Sequence, residues 1–321
     1  MPWLPAFAPG PAGVAVPPGR TGSTRNTGGR QSDPVERYVD VAPDVRLWAE
    51  DIAPTGPRPG EPLLLVMGAA SSGLVWPDAL VALLAERHRV IRYDHRDTGR
   101  SSAVFDEQPY GITDLASDAI AVLDAFEAPR AHVVGMSMGG LLVQLMLLDH
   151  PGRLASATLF CTGALPFPGA PDLPAPDPAL LRMWGELDDP RDAEGELRWR
   201  VEHWRLLNGS GTSFDAAEFR ALEERVVAHT GRHDPVVAHA LMDTSGLERG
   251  AELASVTVPT LVIEAPEDPA YPPPHSGHLV RTLGHARMVR IPGMGHTINR
   301  TVISPLAAAI LTQTTQTAAP A

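Results

Sequence analysis

Residues 131–150, AHVVGMSMGGLLVQLMLLDH, leave this chain few folds to choose from. A short apolar run, Ala131 to Val134, enters Gly135-Met136-Ser137-Met138-Gly139, and an apolar stretch of helical length leaves it. A buried strand that turns abruptly into a helix needs neighbouring strands on both sides and a second layer for the helix to pack in. A serine at the tip of such a turn sits on strained backbone. Glycine on either side removes the Cβ atoms that would collide where strand and helix close on each other. Ser137 is therefore expected to stand out from the end of a sheet as a nucleophile, with the Met138 N–H at the start of the helix as a donor to an oxyanion.

The rest of the chain supplies that sheet. ERYVDVAPDVRLWAEDIA, residues 36–53, alternates apolar and polar residues around Ala42-Pro43-Asp44 and reads as an edge hairpin. Continuous apolar runs at 63–68 and 89–94 flank a helical segment, a strand–helix–strand unit that implies parallel pairing. The alternation continues with a helix near 113–127 and strands near 155–161, 259–264 and 286–291. Further helices are expected near 275–283 and after His296. This is the pattern of an α/β protein with a doubly wound, mostly parallel sheet and helices on both faces. Residues 166–245 carry helical patterns and no strand, and are expected to form a helical cap inserted into a core made of 34–165 and 246–311. Residues 1–33, rich in Pro and Gly, are expected to form a disordered extension, and 312–321 a flexible tail.

Composition removes several function classes. All 26 basic residues are arginine, so Schiff-base chemistry and the lysines of phosphate-binding and kinase motifs are excluded. His95-Arg96-Asp97 matches a kinase loop in three letters only. A net charge of −12 argues against a nucleic-acid partner. Cys161, the single cysteine, reads as a small buried hydrophobe and fits a reducing compartment. No apolar run approaches the length of a membrane span, and the proline-broken start does not read as a signal peptide, so a cytoplasmic protein is expected. His229, His233 and His239 have metal-like separations, but the general-base glutamate of a zinc-helix motif is missing, and neither a metal nor another cofactor is expected.

A serine nucleophile needs a base, and the base an orienting acid, at strand ends on the same side of the sheet. Asp268 follows the strand ending at Glu264, and His296 follows the strand ending near Ile291. The order Ser137, Asp268, His296 is one in which such triads occur. Glu264 and Asp243 are alternative acids, but Glu264 belongs to the strand itself and Asp243 to the insertion. The second oxyanion donor is expected from the small, open loop Gly68-Ala69-Ala70-Ser71-Ser72-Gly73, at Ala69. Asp94 and Arg96 are read as holding their turn through hydrogen bonds and an ion pair. Met67, Phe167, Trp184, Trp204, Phe214 and Met242 are the large apolar residues expected to line a substrate pocket.

These motifs resemble those of the α/β-hydrolase superfamily and, within it, of the aclacinomycin methylesterase group of anthracycline biosynthesis. The resemblance spans roughly 36–311. It includes LLLVMG (63–68), RVIRYDHRDTGRS (89–101), AHVVGMSMG (131–139), VTVPTLVI (256–263) and IPGMGH (291–296). In the insertion it includes WRLLNGSG (204–211) and FDAAEF (214–219). Met67 stands where many other members carry a histidine, a departure the methylesterase group shares. The resemblance implies Ser137 as nucleophile, Asp268 as acid and His296 as base. It also implies a cofactor-independent serine esterase for the methyl ester of a bulky aromatic polyketide, a step in antibiotic biosynthesis. The alternatives on the same residues are a thioesterase, a carbon–carbon hydrolase, or a non-catalytic small-molecule binder.

Overall fold

The strands in the middle of the sheet are continuous apolar runs because both of their faces are covered. The computed structural model describes residues 34–57 and 59–316, so the expected N-terminal extension, 1–33, lies outside the described residues. Val35–Ala42 (β1) and Val45–Ile52 (β2) form the edge hairpin, turned at Asp44 with φ 61°. Leu63–Val66 (β3), helix Asp78–Ala85 (α1) and Val90–Tyr93 (β4) follow. Next come helix Ile112–Ala125 (α2), Ala131–Met136 (β5), helix Met138–Asp149 (α3) and Leu154–Phe160 (β6). The strands line up in the order β1-β2-β4-β3-β5-β6, with β2 antiparallel to both neighbours and the later pairs parallel.

Alternate residues of each strand feed opposite layers. Leu64, Val66, Ile91 and Val133 join Leu115 of α2 and Leu142 of α3 in one buried cluster. Leu63, Leu65, Val90 and Val134 join Leu80 and Leu84 of α1 in the other.

Between β6 and the next strand the chain builds only helices: Pro178–Trp184 (α4), Ala193–Leu207 (α5), Ala216–Thr230 (α6) and Ala238–Leu241 (α7). Three of them start at an aspartate whose carboxylate accepts a first-turn N–H: Asp177 from Ala179, Asp192 from Gly195 and Asp215 from Ala217. Gly231, left-handed at φ 72°, ends α6. The insertion also buries charge. Glu196 and Glu223 are buried between Arg191, Arg200 and the indole N–H of Trp204.

Thr260–Glu264 (β7), helix His275–Leu283 (α8) and Arg287–Arg290 (β8) complete the parallel sheet in the order β6-β7-β8, with β8 an exposed edge. Helix Arg300–Gln316 (α9) then packs Leu306 and Ile310 beside α1. The tail expected from 312 thus begins later than its composition suggested. Gln313 is held by Pro259 and Arg287, and Thr314 by His88. These side-chain anchors leave no apolar periodicity to read. Among the described residues no helix is long and apolar enough to cross a membrane.

Candidate active site

Ser137 sits between β5 and α3 at φ 55° and ψ −122°, a conformation L-residues rarely adopt. The flanking glycines make the turn sterically possible. A Cβ on Gly135 would stand 2.4 Å from the Gly139 carbonyl oxygen, and one on Gly139 would stand 2.1 Å from that of Val66. The Ser137 N–H donates to Phe160 O at 3.1 Å, which fixes the tip of the turn against the end of β6. Gly68 approaches from the other side: a Cβ there would lie 3.2 Å from Ser137 Cβ and 3.7 Å from its Oγ. The loop expected to supply the second oxyanion donor therefore runs directly beside the serine. Among the described residues, no acceptor receives the Ala69 or Met138 N–H.

Asp268 and His296 leave the same end of the sheet, after β7 and β8. His296 Nδ1 lies 2.9 Å from each carboxylate oxygen of Asp268, and both residues are buried. Asp268 Oδ1 also accepts the N–H groups of Ala270 (2.8 Å) and Tyr271 (2.9 Å). Burial would raise the Asp268 pKa, but the His296 ring and these hydrogen bonds outweigh it and hold the carboxyl below its usual range. With Nδ1 committed to the carboxylate, Nε2 is the nitrogen of His296 left for proton transfer.

The ring is held from three further directions. Tyr271 stacks on it with centroids 6.1 Å apart, and the His296 N–H donates to Leu207 O at 2.7 Å. Cys161 has its sulfur within 4.8 Å of ligand atoms of both Asp268 and His296. Burial, and next to it Asp268, push the Cys161 thiol upward, so it stays protonated and gives its hydrogen to Gly295 O at 3.5 Å. Phe160 and Cys161 thus bridge the serine turn to the histidine loop.

The alternative acids lie elsewhere. Glu264 is paired with Arg290 on the neighbouring strand, and Asp243 accepts from Ser245. Asp94 and Arg96 do hold their turn, each through a partner from a different element. Asp94 accepts from Ser72 Oγ (2.6 Å), Gly73 N (2.8 Å) and Arg100 N (2.9 Å), and meets His229 Nε2 at 2.7 Å. Arg96 makes a two-pronged pair with Asp118 at 2.7 and 2.8 Å. His229 and His239, two of the residues with metal-like spacing, are thereby taken up by protein partners, since His239 bonds Ala70 N and Arg96 O.

Of the six residues expected to line a pocket, Met67, Trp184, Trp204 and Phe214 share one buried layer, with Phe167 and Met242 elsewhere. Met67 is buried, and its carbonyl accepts from His95 Nε2 at 2.9 Å. Met242 is buried in the layer shared with α2 and α3. Phe167 stacks on His278 of α8. Trp204 and Phe214 both stack on Phe219 inside the insertion, at 5.5 and 4.9 Å. Trp184 donates its indole N–H to His203 Nε2 at 2.9 Å. His203, not singled out by the sequence, carries its proton on Nδ1 as a result. Burial first, and the nearby His296 second, lower its pKa to about 4.

The insertion motif 204–211 meets the loops that carry Asp268 and His296. Asn208 Oδ1 accepts from Thr297 Oγ1 and Asn299 Nδ2, and its Nδ2 donates to Thr212 O. A Cβ on Gly209 would meet Glu267 O at 2.2 Å, and one on Gly211 would meet Gly293 Cα at 2.5 Å. The motif is a clamp on the two loops that carry Asp268 and His296. Its small residues are required by close backbone approach, a signal that glycine content alone does not locate.

Residues 61–299 match the family model described as "alpha/beta hydrolase fold". The rhodomycin D methylesterase DnrP of Streptomyces peucetius is 45% identical over 287 residues, covering 84% of this chain and 95% of that protein. The rhodomycin D methylesterase DauP of Streptomyces sp. (strain C5) shows the same identity and coverage. Among solved structures, the esterase RhEst1 from Rhodococcus sp. ECU1013 superposes with a TM-score of 0.68 at 20% identity, covering 87% of this chain and 98% of that one, a likeness of fold.

Proposed function

The chain belongs to the alpha/beta hydrolase fold family and is a carboxylic ester hydrolase, and from that premise we propose that it cleaves the methyl ester of an anthracycline-type polycyclic aromatic glycoside through Ser137, His296 and Asp268. In this reading His296 Nε2 takes the Ser137 hydroxyl proton as Oγ attacks the ester carbonyl. Asp268 fixes the tautomer through Nδ1–H and stabilises the imidazolium that forms. The N–H groups of Ala69 and Met138 receive the oxyanion. His296 returns the proton to the departing methoxide, methanol leaves, and a water repeats the sequence on the acyl-enzyme to release the acid.

The observation that carries this reading is the buried Asp268–His296 pair, two-pronged at 2.9 Å, at the same sheet end as a serine strained to φ 55°. A structural aspartate–histidine pair would not require a left-handed serine two strands away. The ester class rests on the relatives' 45% identity across nearly their whole length. We further propose that the helical insertion acts as a cap over the acyl group, with Trp184 and the Nδ1–H of His203 as its ligand-facing groups.

Methanol release tests the substrate. A carbomethoxy-bearing anthracycline glycoside is expected to give a kcat/KM far above that of p-nitrophenyl acetate or an acyl thioester, because binding energy from the remote rings lowers the barrier at the ester. A thioester or small acyl ester at the top of that panel would overturn the methyl-ester assignment and leave the hydrolase.

A further inference from the structure

The loop beside Ser137 is built by the sheet but held by the insertion. Ala70 is left-handed at φ 55°, a conformation unfavourable for an alanine that persists only where surroundings enforce it. Its N–H donates to His239 Nδ1 at 2.8 Å, across 169 residues of sequence. A backbone N–H can only donate, so Nδ1 must be the bare nitrogen of the ring, and Nε2 must carry the proton it gives to Arg96 O at 3.0 Å. The ring is buried, its pKa is pressed down to about 3 chiefly by that burial, and it stays neutral in this one tautomer. Arg96 cannot drift, because Asp118 grips it with two hydrogen bonds.

Around this contact the turn is fixed at every other point. His95, fully buried, donates Nε2–H to Met67 O at 2.9 Å, and its ring meets that of His239 edge-on at 5.8 Å. At the far end of the loop, Ser72 Oγ and Gly73 N converge on Asp94 Oδ1, and His229 of α6 caps the other oxygen at 2.7 Å. One histidine of the insertion, His239, thus bonds the segment 68–73 directly, and a second, His229, braces it through Asp94.

We propose that His239 is a positioning residue for ester hydrolysis: by accepting the Ala70 N–H it holds the Gly68–Ala70 turn in the shape that presents the Ala69 N–H to the oxyanion, so that the oxyanion site is complete only when the insertion is seated. The proposal rests on the reading of Ala69 as oxyanion donor given above. It makes the insertion part of the catalytic apparatus without any of its residues touching the reacting atoms.

The test compares His239→Leu, which fills the space with no acceptor, with His239→Asn, whose Oδ1 can take the place of Nδ1. The substrate is p-nitrophenyl acetate, and the inhibitor is a trifluoromethyl ketone, which forms a tetrahedral oxyanion on a serine. His239→Leu is expected to lower kcat by about 10²-fold with KM within about threefold, the size of losing one oxyanion donor. Affinity for the ketone should fall by a similar factor, and His239→Asn should restore most of both. A merely structural histidine would lower the melting temperature and change the yield of active enzyme, but would leave ketone affinity per active site unchanged. That result, or a His239→Leu kcat within about threefold of wild type, overturns the proposal. Ser137→Ala, run alongside, separates the two levels: an active Ser137→Ala enzyme sinks the serine reading itself, whereas an inactive one with normal His239→Leu kinetics sinks only the positioning role.

Discussion

The sheet and the insertion solve the same problem of burial with different chemistry. In β3 to β7 every residue is buried, the covering layers are mainly apolar, and the carboxylates buried beside them, such as Glu50 and Asp118, are held by separate arginines, Arg92 and Arg96. In the insertion two buried carboxylates share one arginine: Glu196 takes Arg191 and Arg200, and Glu223 takes Arg200 and the Trp204 indole. Aliphatic packing is non-directional and tolerant of small shifts, whereas a buried ion pair holds only while its geometry and partners are intact. The proposed bond-making groups, Ser137, Asp268 and His296, all stand at one end of the sheet, the first two after buried strands and His296 after the exposed edge strand β8. The groups that keep their loops in place, Leu207, Asn208 and His239, come from the insertion. Rigid strands supply position, and the insertion supplies the last hydrogen bonds.

If that division is right, the largest losses of turnover follow changes at the sheet ends. Ser137→Ala is expected to fold with an unchanged melting temperature and to lose about 10⁴–10⁶ in kcat for ester hydrolysis. More than a tenth of wild-type activity would break the assignment. Asp268→Asn should cost about 10⁴, because an amide at that position favours the wrong tautomer of His296. Glu264→Gln, which touches only the Arg290 pair, should keep kcat within about tenfold. The opposite ranking would transfer the acid to Glu264.

The insertion should answer in stability first. Glu223→Ala leaves the buried Trp204 indole N–H without an acceptor while Arg200 keeps Glu196, and a buried donor left unsatisfied costs about 1–3 kcal/mol. Urea unfolding should register that loss while kcat, measured on the folded fraction, changes much less. Equal losses in both would mean that the two regions are not separable.

Acid should reveal an effect shared by both regions. Burial first of all drives His95, His132 and His203 down to about 4, and His239 to about 3. The unfolded chain binds these protons near pH 6.5, so between 6.5 and about 4 the unfolded state is the more protonated, and stability falls as pH falls. It is fully present above 6.5. His95, with no exposed surface, contributes roughly 3 kcal/mol at full protonation. Unfolding free energies measured between pH 7 and 4.5 should therefore slope downward, and a flat profile would show that the rings are charged when folded.

The same contrast decides what could be read from the sequence. Strands buried on both faces are continuous apolar runs, and Ser137 and Asp268 follow such strands, whereas His296 follows the exposed edge strand β8 and is pointed to by chain order and its loop position. The insertion gave helices but not partners. Nothing local marks His239 as the acceptor for an N–H 169 residues away, or His229 as the neighbour of Asp94. Aromatic content singled out Trp204 and Phe214, but not the ring they share, Phe219, on which both stack. At the C-terminal end of α9, polar residues that read as a tail are fixed by Pro259, Arg287 and His88, contacts with no periodic signature.

The clamp at residues 207–212 sets terms for re-engineering. A chimaera that exchanged the whole of 166–245 for a relative's insertion, in search of a new ester, would also exchange the carbonyl of Leu207 that anchors His296 and the Asn208 amide that joins Thr297 to Asn299. The donor's helices would have to arrive with an equivalent strap, or the graft would be spliced around these six residues, treating them as host rather than guest. The insertion is thus not a free-standing module for evolution or design. The proposed cap over the substrate and the alignment of the proposed base are stitched through the same short peptide, and exchanging one carries the other with it.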